Sequence, residues 1–511
     1  MSDEELWEHL EAQGGYAILG VKNPGEPRGI WRMTVLTDPT VMTGAESVAE
    51  ARQGVEVLGV EEWAPVLRLS IQDLEALSAL RTKPFVDYLQ PKFMEPVGDE
   101  GSMMDGCGWG DTYTGGAPQG PLGDHIPPGL ARMSIQDAWR RNAGENAVVG
   151  ITDTGIASNQ ANLIGAFASD SSTGRWHDIR TVISGGTNDQ CGHGTRLAGL
   201  AGLAVAPQNG SSIMGAAWRA NAVSVRQGNG VHTSGGINSA DAAAAIVMAV
   251  EERYYWPHYV NQRRIVSMAW GAGSSHSNVE DAVRYTEGLG ALHLGASGTG
   301  IGWLTGAVFP STMKEVISVS AVDEDKERVS GIGYGDAVEL AAYIDQLGTG
   351  QFTSQTRTVG GSSAAVTAMS GIAALVWTQY PSETNAQIRD CLQKAAHAYP
   401  QRNTTYGFGV VNATKAVGGM YNVQIDAPFW VDPYQTFTVT ANPQGGDGPF
   451  TYQWSNGATT RSTTYTAGPE GSTVHYSVTV TDTSDGITRT PSGTSYVQDR
   501  SGCIDPTQIE C

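Results

Sequence analysis

Three short segments, far apart in the chain, carry the side chains from which a nucleophilic hydrolysis site is built. An aspartate lies in Ile-Thr-Asp-Thr-Gly at 151–155, a histidine in Cys-Gly-His-Gly-Thr at 191–195, and two serines in Gly-Ser-Ser-Ala-Ala at 361–365. A serine hydroxyl becomes a strong nucleophile when a histidine takes its proton and a carboxylate holds the histidine ring. The segments therefore supply acid, base and nucleophile, in that order along the chain.

Each candidate residue also has a simpler explanation. Asp153 follows an apolar run at 147–151 that predicts a buried strand, and functional groups of open α/β sheets collect where such strands end. His193 stands between two glycines, which we expect to leave room for a substrate backbone. Ser363 precedes a predicted helix, whose dipole and first backbone N–H groups would favour a developing oxyanion. Singly, a turn aspartate, a helix-terminal histidine and a capping serine are better explanations, but together the three motifs favour a catalytic site.

The elements that must position these residues follow an α/β pattern. Between residues 125 and 420, short apolar runs alternate with helical stretches, which predicts a doubly wound, mostly parallel sheet. The predicted strands are 147–151, 222–225, 265–269, 291–296 and 316–322, and the predicted helices are 239–251, 278–287 and 364–377.

Three further regions flank this pattern. Residues 1–97 predict a small α+β unit with two strand–helix–strand passages, a ferredoxin-like plan in which Ser70 would cap a helix. Residues 98–124 are rich in Gly, Pro, Asp and Ser, which indicates a linker open to proteolysis. Residues 421–511 predict an all-β sandwich, in which Tyr476, Val478 and Val480 alternate as in a half-buried strand. The predicted strands of the flanking regions are 16–22, 55–60, 63–69, 85–90, 436–440, 451–454 and 474–481.

Composition narrows the possible partners. The 511 residues carry a net charge of −21, which argues against binding to nucleic acid or to anionic membranes. We expect no membrane-spanning helix, because there is no apolar run of about 20 residues. The first residues are acidic and lack the apolar core of a signal peptide.

The five cysteines leave at least one thiol unpaired. A bridge between Cys107 and Cys191 is one hypothesis, and it would tether the segment before the catalytic region to the histidine motif. Cys503 and Cys511 flank a short polar tail and could close a small loop.

On the three motifs the chain resembles the subtilisin-like serine proteases, over roughly residues 126–418. The resemblance implies that Asp153 is the orienting acid, His193 the general base and Ser363 the nucleophile of a serine endopeptidase that cleaves proteins or peptides. It also implies substrate-binding positions, which are Ala269, Trp270, Gly271, Ala296, Ser297 and Gly298.

The same resemblance implies a secreted zymogen. Residues 1–97 correspond to a propeptide that assists folding and inhibits the enzyme, and residues 421–511 resemble Ig-like or PKD-type modules. No cofactor and no catalytic metal are expected. Calcium commonly stabilises this family, but no Asp-x-Asp-x-Asp-Gly loop identifies its ligands here.

The chain also departs from the family pattern. Thr299 stands where the family has an asparagine that donates a hydrogen bond to the oxyanion, and loss of such a donor costs about 3–4 kcal/mol of transition-state stabilisation. Ser362 replaces a usual threonine, and the bulky Trp270 is expected to narrow the substrate groove. These changes leave a second hypothesis open, in which the chain is a catalytically weakened scaffold that binds peptides or surfaces.

Overall fold

The computed structural model divides the chain into two units, Met1–Ala413 and Thr414–Cys511. The residues that the structure describes are 1–22, 42–45, 49, 53–61, 65–92, 107, 110–111, 117, 125–160, 162–163, 175–203, 213–231, 238–251, 263–300, 306–352, 355–419, 422–444, 448–483 and 488–499.

The N-terminal part of the first unit is a four-stranded antiparallel sheet with helices against it. Its strands are β1 (Tyr16–Val21), β2 (Val55–Val60), β3 (Val66–Ile71) and β4 (Val86–Pro91), and its helices are α1 (Asp3–Ala12) and α2 (Leu74–Arg81). Residues 42–45, between β1 and β2, are also helical. The strand order β2-β3-β1-β4 is the ferredoxin-like order that the sequence predicts.

The predicted cap of α2 is wrong by three residues. Asp73, and not Ser70, is the capping residue, and its carboxylate accepts the N–H of Ala76 at 2.8 Å. Ser70 belongs to β3 because it pairs with Tyr16 of β1. Pairing with a neighbouring strand, which the local sequence does not reveal, therefore sets where this helix begins.

A seven-stranded sheet forms the centre of the first unit, and all of its neighbouring strands are parallel. Its strands are β5 (Ala147–Asp153), β6 (His177–Thr181), β7 (Asn221–Arg226), β8 (Arg263–Met268), β9 (Leu292–Ala296), β10 (Val316–Val322) and β11 (Val338–Tyr343). A separate antiparallel hairpin consists of β12 (Gln346–Thr349) and β13 (Thr356–Val359).

Helices flank the sheet, as expected for the predicted doubly wound fold. They are α3 (Pro128–Arg132), α4 (Ile135–Ala138), α5 (His193–Ala198), α6 (Ser239–Val250), α7 (Ser277–Gly288), α8 (Gly361–Gln379) and α9 (Asn385–Lys394). A further helix, α10 (Ala413–Gly419), begins at the last residue of this unit and continues into the second. Among the described helices, only α8 is long and apolar enough to cross a membrane, and 89% of its apolar window is buried inside the protein.

The strand order β11-β10-β9-β8-β5-β7-β6 places a switch point at β5. The chain leaves β5 for β6 and β7 on one side and continues through β8 to β11 on the other. Crevices open at the carboxyl ends of strands where the winding direction changes. Asp153 is the last residue of β5, so it lies at this crevice.

The N-terminal sheet docks on the first turns of two helices of the larger fold. The side-chain amide of Gln90 donates to Asn278 at 2.6 Å, and its carbonyl accepts the N–H of Ser277 at 3.0 Å. The Tyr88 hydroxyl donates to Asp281 at 3.1 Å. One strand of the N-terminal sheet therefore supplies hydrogen-bond partners that the first turn of α7 lacks by itself.

A second set of contacts holds the segment that leads toward the larger fold. Cys107 and Cys191 form a disulfide, which confirms the hypothesised bridge. The carbonyl of Asp111 accepts the N–H of Thr358 at 3.0 Å. Gly110 has a φ of +69°, and a Cβ there would lie 2.3 Å from the Thr358 carbonyl oxygen, so only glycine is accommodated. Cys391 is a buried free thiol, and the suggested loop between Cys503 and Cys511 lies outside the described residues.

The second unit is a two-sheet β structure. Its strands are β14 (Asn422–Asp426), β15 (Trp430–Val431), β16 (Thr436–Gln444), β17 (Phe450–Trp454), β18 (Ser462–Thr466), β19 (Thr473–Asp482), β20 (Thr488–Arg489) and β21 (Ser492–Val497). The sheets are β14-β16-β18 and β15-β21-β19-β17, and β20 also pairs with β19. The predicted alternation holds, because Tyr476, Val478 and Val480 are buried around Trp454.

The bridge between Cys107 and Cys191 is expected to protect the linker from proteolysis. In a full-length Ser363→Ala protein, Cys107→Ser should make added chymotrypsin cut faster at Trp109 and Tyr113, because the covalent tether at Cys107 is then lost. Mass spectrometry of the fragments measures the rate at each bond. Cys191→Ser removes the same bridge and should give the same rates. Cleavage as slow as in the bridged protein would contradict this role.

Candidate active site

A buried carboxylate and imidazole form the centre of the site. Nδ1 of His193 lies 2.9 Å from Oδ1 and 3.0 Å from Oδ2 of Asp153, and both side chains are almost fully buried. The N–H of Thr154 donates to Oδ1 of Asp153 at 2.8 Å and helps to fix the carboxylate. A proton on Nδ1 that is donated to Asp153 leaves the lone pair of His193 on Nε2. No described residue forms a hydrogen bond at Nε2, so this atom is available to accept a proton.

Asp189 organises the loop before His193, and the sequence analysis did not identify it. Oδ1 accepts the N–H groups of Cys191 and Gly192 and the hydroxyl of Thr154 at 2.7–2.9 Å. Oδ2 accepts both the N–H and the hydroxyl of Thr195, at 2.9 and 2.6 Å. The only sequence signal is an aspartate four residues before a helix-starting histidine. This carboxylate therefore fixes the chain on both sides of the imidazole.

The structure gives the two glycines beside His193 conformational and packing reasons, and at Gly194 it does not leave the predicted room for a substrate backbone. Gly192 has a φ of +89°, in the left-handed region that glycine tolerates best. A Cβ on Gly194 would lie 2.5 Å from the Gly155 carbonyl oxygen and 3.1 Å from Oδ1 of Asp153. The space at Gly194 is thus occupied by the protein's own backbone and not reserved for a substrate.

Ser363 lies in the first turn of α8, two residues after the helix begins. Its hydroxyl donates to the carbonyl of Ala269 at 3.1 Å, directly beyond the end of β8. N–H groups in the first turn have no acceptor within the helix and are available to a ligand. The helix therefore presents a hydroxyl and a backbone donor beside the segment predicted to bind substrate.

Thr299 lies against the residues that precede Ser363. Its Oγ1 accepts the N–H of Ser362 at 3.0 Å and lies 3.0 Å from Oγ of Ser362. The N–H of Gly298 donates to the same Ser362 hydroxyl at 3.0 Å. The structure thus brings the candidate oxyanion donor to the first turn of α8.

Trp270 does not narrow the groove as expected. Its side chain is only 2% exposed and packs in the apolar cluster that contains Val266 and Phe309. Its indole Nε1 donates to the hydroxyl of Thr152 at 3.0 Å, next to Asp153. The indole therefore ties the segment predicted to bind substrate to β5 from the inside.

The remaining predicted substrate positions are buried and closely packed. The N–H of Ser297 donates to Val319 and its carbonyl accepts from Val308, both at 3.0 Å, so its main chain is already engaged. A Cβ on Gly271 would lie 2.4 Å from Val308, which explains the glycine there. Ala296 and Gly298 are buried on either side of Ser297.

Arg196 places a buried cation beneath the site. Its Nε donates to the carbonyl of Gly192 at 3.2 Å. Burial lowers the pKa of its guanidinium, and the nearby carboxylates of Asp153 and Asp189 act in the opposite direction. Within the part of the chain that the structure describes, no group of three or more His, Cys, Asp or Glu side chains could hold a metal ion.

Comparisons with known proteins identify a family and several similar proteases. The model of the subtilase family matches residues 144–409. A thermostable alkaline protease of Halalkalibacterium halodurans is 32% identical over 296 residues, which cover 57% of this chain and 73% of the relative. Thermitase of Thermoactinomyces vulgaris is 26% identical, covering 59% of this chain and 99% of the relative. An extracellular protease of Xanthomonas campestris is 28% identical, over 57% of this chain and 54% of the relative.

Replacement of Asp189 is expected to destabilise the loop that holds His193. Asp189→Ala leaves buried donors of Thr154, Cys191, Gly192 and Thr195 without an acceptor, which should cost about 3–5 kcal/mol in the free energy of unfolding. Urea denaturation followed by tryptophan fluorescence, in a Ser363→Ala background, measures this change. Asp137→Ala, at an exposed carboxylate, should change it by less than about 0.5 kcal/mol. Equal effects of the two substitutions would contradict the role of Asp189.

Proposed function

The chain belongs to the subtilase family of serine proteases, and we propose that it is an endopeptidase made as a zymogen, with Ser363 as its nucleophile. His193 acts as general base and Asp153 orients it. The observation that carries the proposal is the buried hydrogen bond between Nδ1 of His193 and Asp153, at the sheet edge where the site residues gather.

The proposed reaction is acyl transfer through Ser363. The hydroxyl turns from the Ala269 carbonyl toward Nε2 of His193, which takes its proton as the oxygen bonds to the substrate carbonyl carbon. His193 then protonates the leaving amine, and an acyl group remains on Ser363. A water molecule, deprotonated by the same Nε2, releases the acid product. Throughout, the Asp153 carboxylate stabilises the imidazolium and stays ionised.

We also propose that residues 1–97 are the inhibitory propeptide. Support comes from their docking on helices of the larger fold, where Gln90 and Tyr88 bond to α7. The carbonyl of Lys92 accepts both the N–H of Ser239 at 2.8 Å and its hydroxyl at 2.9 Å, at the start of α6. Ile18 and Val66 join the apolar cluster of these helices. Cleavage in the linker 98–124 would then free the enzyme.

The alternative, a weakened scaffold that binds peptides, is favoured by Thr299 in place of the family's asparagine. The hydrogen-bonded Asp153–His193 pair favours turnover, because binding alone does not require an oriented general base.

We further propose secretion, in keeping with the extracellular relative. Residues 421–511 would be a PKD-type or Ig-like module, and calcium a stabilising ion without assigned ligands.

Loss of any proposed catalytic side chain should abolish most of the hydrolysis. Ser363→Ala and His193→Ala are each expected to lower kcat on a chromogenic peptide by roughly 10⁶-fold, and Asp153→Asn by about 10⁴-fold. Stopped assays on protein separated from residues 1–97 measure the rates. Ser370→Ala, a buried serine later in the same helix, should keep the original rate. Unchanged hydrolysis by Ser363→Ala would refute the proposal, and binding without hydrolysis by the unaltered protein would favour the scaffold.

The free energy of unfolding of the full-length protein should depend on pH through Asp241, a buried carboxyl that is influenced by charged residues of the docked N-terminal part. Burial raises the pKa of this carboxyl to about 6, although Lys92, Asn238 and Arg68 favour ionisation, and Glu61 opposes it. Because the folded pKa is raised above the ordinary value of 3.8, folding is favoured at low pH and loses this contribution as the pH rises through 6.

Asp241→Asn mimics the protonated carboxyl at every pH. In full-length Ser363→Ala protein, this variant should therefore have a higher Tm than the parent at pH 7.5, and a much smaller Tm difference near pH 4.5, where most of the parent's loss has not yet occurred. Scanning calorimetry at both pH values measures the difference. Asp137→Asn, at an exposed carboxylate, serves as the matched control. A Tm difference that stays constant between the two pH values would contradict the role of Asp241.

A further inference from the structure

The hydroxyl groups of Thr299 and Ser362 form a hydrogen bond beside the proposed nucleophile, and their other contacts determine which one donates. Thr299 is exposed, whereas Ser362 is only 1% exposed. Their oxygens lie 3.0 Å apart, so one hydroxyl donates to the other. Which one donates decides whether Thr299 has a proton to offer to a substrate.

The neighbouring donors determine the direction of this hydrogen bond. Oγ of Ser362 accepts the N–H of Gly298, and Oγ1 of Thr299 accepts the N–H of Ser362. If Thr299 donated to Ser362, the buried Ser362 proton would lack an acceptor, since no other described residue contacts that hydroxyl. An unsatisfied buried polar group costs about 1–3 kcal/mol. Ser362 therefore donates to Thr299, and the exposed Thr299 hydroxyl keeps its own proton free.

The backbone of α8 also limits where the Thr299 oxygen can lie. Gly361 has a φ of +75°, and a Cβ there would lie 2.7 Å from Oγ1 of Thr299. The Ser362 N–H and Ser362 hydroxyl contact the same oxygen atom. The first turn that carries Ser363 thus fixes the position of the Thr299 oxygen, and none of these contacts uses the Thr299 proton.

We propose that Ser362 is a positioning residue, whose hydroxyl bond aims the Thr299 proton at the oxyanion formed during attack by Ser363. This inference rests on the proposed function. As the bond from Ser363 Oγ to the carbonyl carbon forms, the π electrons move to the carbonyl oxygen and the Ser363 proton moves to His193. The oxyanion then accepts hydrogen bonds from the Thr299 hydroxyl and the Ser363 N–H, and neither donor transfers its proton. A pair of hydroxyls here replaces the single amide donor of the family.

A double-mutant cycle tests this arrangement on the protein from which residues 1–97 have been removed. On a chromogenic peptide, Thr299→Val should lower kcat on the order of 10²-fold and Ser362→Ala by roughly tenfold, each with little change in KM, because the lost bonds exist only in the transition state. Ser362→Thr keeps the hydroxyl and should restore kcat. The combined variant should lose no more than Thr299→Val alone, because Ser362 acts through Thr299.

Each contrary outcome has a distinct meaning. A kcat unchanged in Ser362→Ala, or a combined loss equal to the product of the single losses, overturns the positioning role while hydrolysis itself persists. A rise in KM without a fall in kcat also overturns it, because that result indicates ground-state binding. Ser370→Ala controls for loss of a buried hydroxyl in the same helix. Absence of hydrolysis by the unaltered protein overturns the proposed function, and this inference with it.

Discussion

The buried pairing of Asp153 with His193 is the interaction on which the site depends. A carboxylate removed from water is strongly destabilising unless hydrogen bonds or an opposite charge compensate it. Here the imidazole and the N–H of Thr154 provide that compensation. The imidazole in turn needs a fixed backbone, which Asp189 supplies by binding the residues on both sides of His193. Two buried carboxylates therefore fix one base, because Asp153 binds its ring and Asp189 binds the backbone on both sides of it.

Sheet topology places the third proposed catalytic side chain at the same edge of the sheet as this pair. All seven central strands are parallel, so their carboxyl ends share one edge, and Asp153 ends the strand at the switch point. The buried helix α8 starts at the same edge and presents Ser363 in its first turn. Ala269, just beyond β8, meets the serine hydroxyl there. The positions follow from how strands and helices are wound, while the hydrogen bonds set their orientations.

The sequence was most informative where chemistry and periodicity coincide. Asp153 ends an apolar run, so both its strand and its place at the sheet edge were predictable. It was least informative where distant segments decide the outcome. Ser70 was predicted as a cap because its pairing with Tyr16 is not visible locally. Trp270 points inward because its indole bonds to Thr152, and the space at Gly194 is filled by the Gly155 carbonyl. Neither contact is visible in the local sequence. The role of Asp189 was not predictable from the sequence, because its five hydrogen bonds form only in the folded loop.

The most direct test of the site is to identify the residue that a fluorophosphonate modifies. This measurement distinguishes a working catalytic site from an inert scaffold. After labelling, the peptide that contains Ser362 and Ser363 can be isolated and the modified residue identified by mass spectrometry. An oriented base beside the first turn of α8 predicts a label on Ser363 alone, and loss of that label in Asp153→Ala. A label on Ser362 or elsewhere, or no label after removal of residues 1–97, would contradict the assignment of the nucleophile.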